Sequence, residues 1–335
     1  MALLNWPSLH GDAFQGKRVL VTGAAGFIGS HLSEALAALG ATVVAMDDLS
    51  FGDRANLQPA EATGPGHVLF RQASILDPAE LAEAAAGCEL IFHQAAWGSV
   101  PRSCEIPLAY HQVNATGTLQ LLEAARASGV QRVVFAASSA AYGQSEELPK
   151  HEAMAPSAFS PYAANKIAGE ALLQAYAGSF PLDTVSLRYF NIFGPRQNAH
   201  SAYAAVIAAF AQNLDQGKAP VIYGTGEQTR DFTFVDNVVH ANLLAARHRQ
   251  PLRGAILNVA SGQRISVQSL ALQMTEFWQR SDLKPRYVEP RAGDVLHSQA
   301  CLQRIGEVLG YEPLVDFSSG LKATCAWYQQ SLRAE

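Results

Sequence analysis

Three glycines constrain this chain more than any other feature. Gly23, Gly26 and Gly29 stand at GxxGxxG spacing in Val21-Thr22-Gly23-Ala24-Ala25-Gly26-Phe27-Ile28-Gly29. The apolar run Arg18-Val19-Leu20-Val21 before them reads as a strand. Ile28, Leu32, Leu36 and Leu39 after them mark one face of a helix that Gly40 ends. Glycine at these places permits a tight turn, lets backbone approach a pyrophosphate and lets helix and strand pack closely. The helix N-terminus then offers amide donors and positive potential to phosphates. Such turns also arise for packing alone, but the placement between a clear strand and a clear helix favours a dinucleotide site.

The strand–helix rhythm continues downstream. Strands are expected at 17–22, 41–46, 67–71, 90–95, 132–137 and 184–188. Helices are expected from Asp77-Pro78 to about residue 86, over 113–128, and from Ser160 onward. This alternation implies an α/β fold, a Rossmann-type doubly wound parallel sheet with helices on both faces. After Tyr189 the pattern changes. Residues 189–228 are rich in Gly, Asn, Gln and Tyr, with one helix near 203–216. Residues 231–262 are patterned to rejoin the sheet, and 263–335 read as two or three helices with short strands. The expected division is a dinucleotide-binding domain of 1–188 plus 229–262. A smaller discontinuous C-terminal substrate domain takes 189–228 plus 263–335. The cleft should lie at the carboxyl ends of the strands.

Asp47 closes the second strand, at the distance from the glycines where a carboxylate accepts bonds from an adenosine ribose. It would also repel a 2′-phosphate, which favours NAD over NADP. A capping aspartate is the plain alternative. Further on, Ser160-Pro161-Tyr162-Ala163-Ala164-Asn165-Lys166 pairs a good N-cap and a good first helical residue with Tyr162 and Lys166 on one helical face. An ammonium beside a phenol favours the phenolate and lowers the tyrosine pKa. Such a tyrosine beside a nicotinamide suits alcohol–ketone chemistry.

Composition narrows the setting. The 335 residues are 49% hydrophobic and 16% charged, enough for one large domain or two. A net charge of −5 gives no sign of a nucleic-acid or anionic-membrane partner. Cys88, Cys104, Cys301 and Cys325 have neither zinc-ligand nor CxxC spacing and read as reduced thiols of a cytoplasmic protein. No metal site is expected. The first residues lack a basic segment followed by a long apolar run, so neither a secretory leader nor a membrane span is expected. His93 and His297 read as satisfied structural histidines.

The motifs together resemble the extended short-chain dehydrogenase/reductase family, specifically its NAD-dependent nucleotide-sugar epimerases. The resemblance covers about residues 17–328. Besides the glycine turn it rests on His93-Gln94-Ala95-Ala96, Ser138-Ser139-Ala140-Ala141-Tyr142-Gly143 and Tyr162-Ala163-Ala164-Asn165-Lys166. Arg188-Tyr189-Phe190-Asn191-Ile192-Phe193-Gly194-Pro195-Arg196 and Arg230-Asp231-Phe232 continue it. Within the family the chain is most similar to UDP-N-acetylhexosamine 4-epimerases, through Gly98-Ser99-Val100-Pro101-Arg102-Ser103, Arg196-Gln197, the 202–207 segment and the 291–298 segment.

The resemblance implies the following roles. Tyr162 is the base toward the sugar 4-hydroxyl, Lys166 holds the nicotinamide ribose, and Ser138 hydrogen-bonds the reacting oxygen. The sugar passes through a transient 4-keto form. Gly23, Gly26, Phe27, Ile28, Gly29, Asp47, Ile75, Ala95, Ala96, Asn114, Tyr162 and Lys166 surround NAD. Asn191, Arg230 and Arg291 meet the substrate diphosphate, where an arginine fork suits phosphate. Asp294 orders the uridine ribose or a neighbouring arginine, and Val221 and Tyr223 line the nucleotide. Ser139, Ser99, Gln197 and Ala205 border the sugar. Ser298 stands where a bulky tyrosine restricts relatives to plain hexoses, so serine leaves room for an N-acetyl group. The expected reaction is UDP-GlcNAc/UDP-GalNAc 4-epimerisation, with UDP-Glc/UDP-Gal also open. The helices at 113–128 and 161–178 would form a homodimer face.

Two positions depart from the pattern. Ser74 replaces an adenine-contacting Asp, and Ala140 replaces a third hydroxyl. The competing readings are a UDP-glucuronate 4-epimerase, a decarboxylase, a 4,6-dehydratase, or a non-catalytic NAD-binding protein. Dehydratases and decarboxylases place an acid where Ala140 and Ala141 stand, which argues against both. The intact Ser138, Tyr162 and Lys166 argue against a non-catalytic protein.

Overall fold

A computed structural model describes residues 2–62, 64–198, 206–290 and 296–332. Ala205, Arg291 and Asp294, each expected at the substrate, lie outside the described residues.

Seven parallel strands form the central sheet: β1 (Arg18–Thr22), β2 (Thr42–Asp47), β3 (His67–Gln72), β4 (Leu90–His93), β5 (Arg132–Ser138), β6 (Asp183–Tyr189) and β7 (Ala255–Val259). Their order is β7-β6-β5-β4-β1-β2-β3. The order reverses beside β1, so the crevice of a doubly wound sheet opens above the carboxyl ends of β1 and β4. This is the α/β architecture the sequence implies. The inner strands are apolar on both faces, as a sheet covered on two sides requires.

β4 stops at His93, two residues short of the expected strand. The Asn114 side chain accepts from the Trp97 amide at 2.8 Å and donates to the Trp97 carbonyl at 3.0 Å, drawing that backbone off the sheet. Asn114 sits in a π-helical turn, Gln112–Thr116, just before the helix Gly117–Ala127. The expected single helix over 113–128 is therefore two pieces. Such bulges are frequent at functional sites.

Residues beyond β6 behave as their patterns suggest. Helix Val235–Arg247 leads into β7, which pairs with β6. Helices Val206–Asp215, Val267–Phe277 and Phe317–Ser331 enclose a second apolar cluster around Phe193, Phe210, Phe232, Leu270 and Phe317. No helix among the described residues is long and apolar enough to cross a membrane. All four cysteines are unpaired.

Candidate active site

Local sequence rules place the key side chains. Gly23 has φ +66°, and a Cβ there would stand 2.7 Å from the Ala95 amide nitrogen. A Cβ on Gly29 would stand 2.1 Å from the Gly23 carbonyl oxygen. Both approaches need glycine. Gly26 caps helix Phe27–Ala38 with no side-chain bond, so the first-turn amides are left to the cleft. Across the sheet, the Ser160 hydroxyl accepts from the Ala163 amide at 3.1 Å, and Pro161 begins the helix Pro161–Ser179. Ser138 ends β5, next to β4.

These elements wall one cleft of about 1090 Å³. Gly23, Gly26, Phe27, Ile28, Gly29 and Asp47 line it on the β1–β2 side. Ile75, Ala95, Ala96, Ser138, Ser139, Tyr162 and Lys166 also line it. Asn191, Gln197, Arg230 and Ser298 line the far end. Asn191 and Arg230 extend into an adjoining cavity of about 250 Å³, where Val221 and Tyr223 are found.

Some expected site residues are engaged elsewhere. The Ser99 hydroxyl accepts from the Arg102 amide at 3.2 Å, capping helix Val100–Glu105. Asn114 holds Trp97, as described. Ser74 accepts from the Leu76 amide at 3.3 Å and so shapes a turn, while its neighbours Ala73 and Ile75 face the cleft. His93 lies between the hydroxyls of Thr22 (2.8 Å) and Thr118 (3.0 Å), and burial pushes its pKa down to about 3. It is a neutral structural histidine.

The electrostatics differ from the sequence expectation. Lys166 is buried, and burial lowers its pKa to about 7 although Glu170 pulls the other way. Its Nζ donates to the Ala136 carbonyl at 2.7 Å and sits 6.0 Å from the Tyr162 ring centroid. Burial raises the Tyr162 pKa, a hydrogen bond from the Ser138 side lowers it, and Tyr110 raises it again. The nearest lowering influence on Tyr162 is thus Ser138 and not the lysine charge. Desolvation outweighs the Ser138 bond because the hydroxyl is closely surrounded, even though the residue as a whole is only half-buried.

Asp47 is well placed for a ribose. One carboxylate oxygen accepts from the Ala25 amide at 2.9 Å and the other from Leu49 at 2.8 Å. Burial raises its pKa, and these amides oppose the rise. With uncapped amides on one side and an oriented carboxylate on the other, the residues present fit an adenine dinucleotide. Among the described residues no group of three or more His, Cys, Asp or Glu could hold a metal ion.

The cleft also has walls that motif reading did not find. Trp327 and Tyr328 reach it from the C-terminal helix, and Phe51 and Trp97 from the loops after β2 and β4. Lys150 lines it from the loop before residue 151, almost fully buried. Their positions are products of tertiary packing. Only Trp97, directly after Ala95-Ala96, had a sequence neighbour that could have flagged it.

Residues 19–260 match the NAD dependent epimerase/dehydratase family. A UDP-glucose 4-epimerase of Mycolicibacterium smegmatis is 39% identical over 315 residues, 93% of this chain and 98% of the relative. A UDP-N-acetylglucosamine 4-epimerase from Methanobrevibacter ruminantium, solved with UDP-N-acetylmuramic acid, superposes with a TM-score of 0.88 at 36% identity, covering 95% of this chain and 100% of that one. A UDP-glucose 4-epimerase of Thermotoga maritima with UDP-glucose gives 0.87 at 34% identity, covering 94% and 99%. With its glycine turn, Ser138, Tyr162 and Lys166 gathered in one cleft, the chain belongs to the NAD-dependent epimerase/dehydratase family.

Proposed function

We propose that the protein is an NAD-dependent UDP-sugar 4-epimerase, an isomerase, acting on UDP-GlcNAc/UDP-GalNAc and with UDP-Glc/UDP-Gal as further substrates. The observation that carries this reading is the convergence of Ser138, Tyr162 and Lys166 on the cleft that also contains the Gly23–Gly29 turn. The similarity to UDP-glucose and UDP-N-acetylglucosamine 4-epimerases supports it.

NAD, when bound, would supply the acceptor for the hydride leaving the sugar C4 and the donor that restores it to the 4-keto carbon. Tyr162 takes the proton from the sugar 4-hydroxyl and gives it back. Ser138, already within hydrogen-bonding reach of that phenol, steadies the reacting oxygen. Lys166 binds the nicotinamide ribose, and Asp47 the adenosine ribose. The transient 4-keto sugar turns in the cleft to present its other face. Asn191 and Arg230, at the junction of the two cavities, take the diphosphate, with Arg291 joining them. The Val221–Tyr223 cavity takes the uridine, with Asp294 at its ribose. Ser139, Gln197 and Ala205 border the sugar.

Ser298 lines the cleft with a small side chain, which supports room for an N-acetyl group. Ala140 lines the cleft and Ala141 is buried, so neither supplies the acid that dehydration or decarboxylation needs. The glycine-bearing domain is proposed as 1–188 plus 229–262 and the substrate domain as 189–228 plus 263–335. We place the protein in the cytoplasm, as a homodimer through helices Gly117–Ala127 and Pro161–Ser179. The exposed Leu119 and Phe180 at this face favour such pairing.

The test is a product assay by NMR, offering UDP-GlcNAc and UDP-Glc separately to purified protein without added NAD. Conversion of UDP-GlcNAc to its C4 epimer is expected. Conversion of UDP-Glc alone would keep the epimerase and reject the open gate. No turnover of either, even with NAD added, would overturn the reading.

A further inference from the structure

The loops after β2 and β4 meet above the strand that lies between them. Sheet order is β4-β1-β2, so the glycine turn at the end of β1 lies between the two loops. Phe51, on the β2 loop, and Trp97, on the β4 loop, touch edge to face, with centroids 5.5 Å apart and planes at 83°. The Arg102 guanidinium stands 5.3 Å from the Phe51 centroid and 5.9 Å from that of Trp97. Trp97 in turn rests on buried Tyr110, at 5.5 Å and 81°. Phe51 and Trp97 both line the cleft.

Each half of this contact is anchored differently. The Trp97 backbone is clamped by Asn114 through two hydrogen bonds. The Phe51 loop is tied at its ends, through Leu49 on Asp47 and through the Asp53 amide on the Ala25 carbonyl at 3.1 Å. Phe51 itself is 54% exposed. Its ring therefore has little holding it except Trp97 and Arg102. An exposed phenylalanine held by an edge-to-face partner and a cation is a contact that can open and reform.

We propose that Phe51, Trp97 and Arg102 form a clasp that latches the β2 loop to the β4 loop over the glycine turn and retains the dinucleotide. This rests on the NAD reading above. A 4-epimerase regenerates its cofactor within each cycle, so a released reduced dinucleotide would strand a keto sugar. A clasp slows that loss. Arg102 is the cationic member, its guanidinium within reach of both rings. Phe51 is the moving part and Trp97 the fixed part.

The test measures NAD on the purified protein and its rate of release into a scavenger that consumes free NAD. Phe51→Ala and Arg102→Met are compared with the parent, with circular dichroism checking that each variant is folded. Release is expected to quicken by about tenfold in each variant, and Phe51→Tyr is expected to restore slow release. Folded variants that release NAD at the parent's rate would overturn the clasp. A parent protein that neither carries nor takes up NAD would overturn the cofactor reading itself, and the clasp with it.

Discussion

The Lys166 ammonium donates a 2.7 Å hydrogen bond to the Ala136 carbonyl, two residues before Ser138 on β5. That bond ties the helix carrying Tyr162 to the strand that ends at Ser138. It also fixes a charge in a buried place, and burial lowers the lysine pKa from 10.5 to about 7. Below pH 7 the lysine is charged in both folded and unfolded chains, and the full cost of burying the charge applies. Between pH 7 and 10.5 only the unfolded chain holds the proton, so stability rises with pH and the cost fades.

Replacing Lys166 by Met is therefore expected to remove turnover while stabilising the fold. The gain should be on the order of 2 kcal/mol below pH 7 and shrink toward pH 10. Thermal unfolding across pH, beside an activity assay, checks both halves. A variant less stable than the parent at pH 6 would mean that the Ala136 bond outweighs the buried charge.

Tyr162 gives a sharper prediction, because its backbone is held independently of its hydroxyl. Its amide donates to the Ser103 hydroxyl at 3.2 Å, and the Ser160 cap fixes the helix start. Tyr162→Phe should keep the fold and NAD binding while turnover falls about 10²- to 10⁴-fold. Ser138→Ala should lower turnover less. It should also shift the ascending, acidic limb of the pH–rate profile to higher pH, since Ser138 lowers the pKa of the Tyr162 base. A profile that does not move would detach Ser138 from the proton.

Acid stability tests the buried histidines away from the cleft. Burial pushes the His31 pKa down to about 3, with Arg196 adding to the fall, while its Nε2 meets the Pro195 carbonyl at 3.0 Å. The unfolded chain takes up this proton below pH 6.5 and the folded chain does not, so stability is lost as pH falls. His31→Gln keeps a neutral donor and cannot take up the proton. Between pH 7 and 4.5 the stability difference should move in the variant's favour by about 2 kcal/mol. Parallel pH curves would show that His31 is not titrating on unfolding.

What the sequence made legible is what local rules govern. The glycine turn, the Ser160-Pro161 helix start and the end of β5 at Ser138 follow from neighbours within a few residues. Asn114 and Ser99 were readable as polar residues near the cleft. Their actual partners, Trp97 and the Arg102 amide, depend on how the β4 loop folds back. The Tyr162 pKa departs from the sequence expectation for the same reason. A lysine four residues away is visible in sequence, but its bond to the Ala136 carbonyl and the desolvation that raises the tyrosine pKa come from packing brought in by distant elements. Trp327 and Tyr328 reach the cleft from the C-terminal helix, a placement that no spacing encodes.

Ser298 carries the last prediction. Its amide donates to the Thr229 carbonyl at 3.0 Å, next to Arg230, so the backbone that presents its side chain to the cleft is fixed. Adding a phenol there has few ways to be accommodated by backbone movement. Ser298→Tyr should therefore subtract volume from the cleft, and the larger sugar should suffer most. Turnover of UDP-GlcNAc is expected to fall by about 10- to 100-fold relative to UDP-Glc, the range that crowding of a packed site produces. The measurement is kcat/KM for both sugars on parent and variant. An equal loss for the two would mean that the tyrosine disturbs the shared UDP portion of the site, and that Ser298 does not select the C2 substituent.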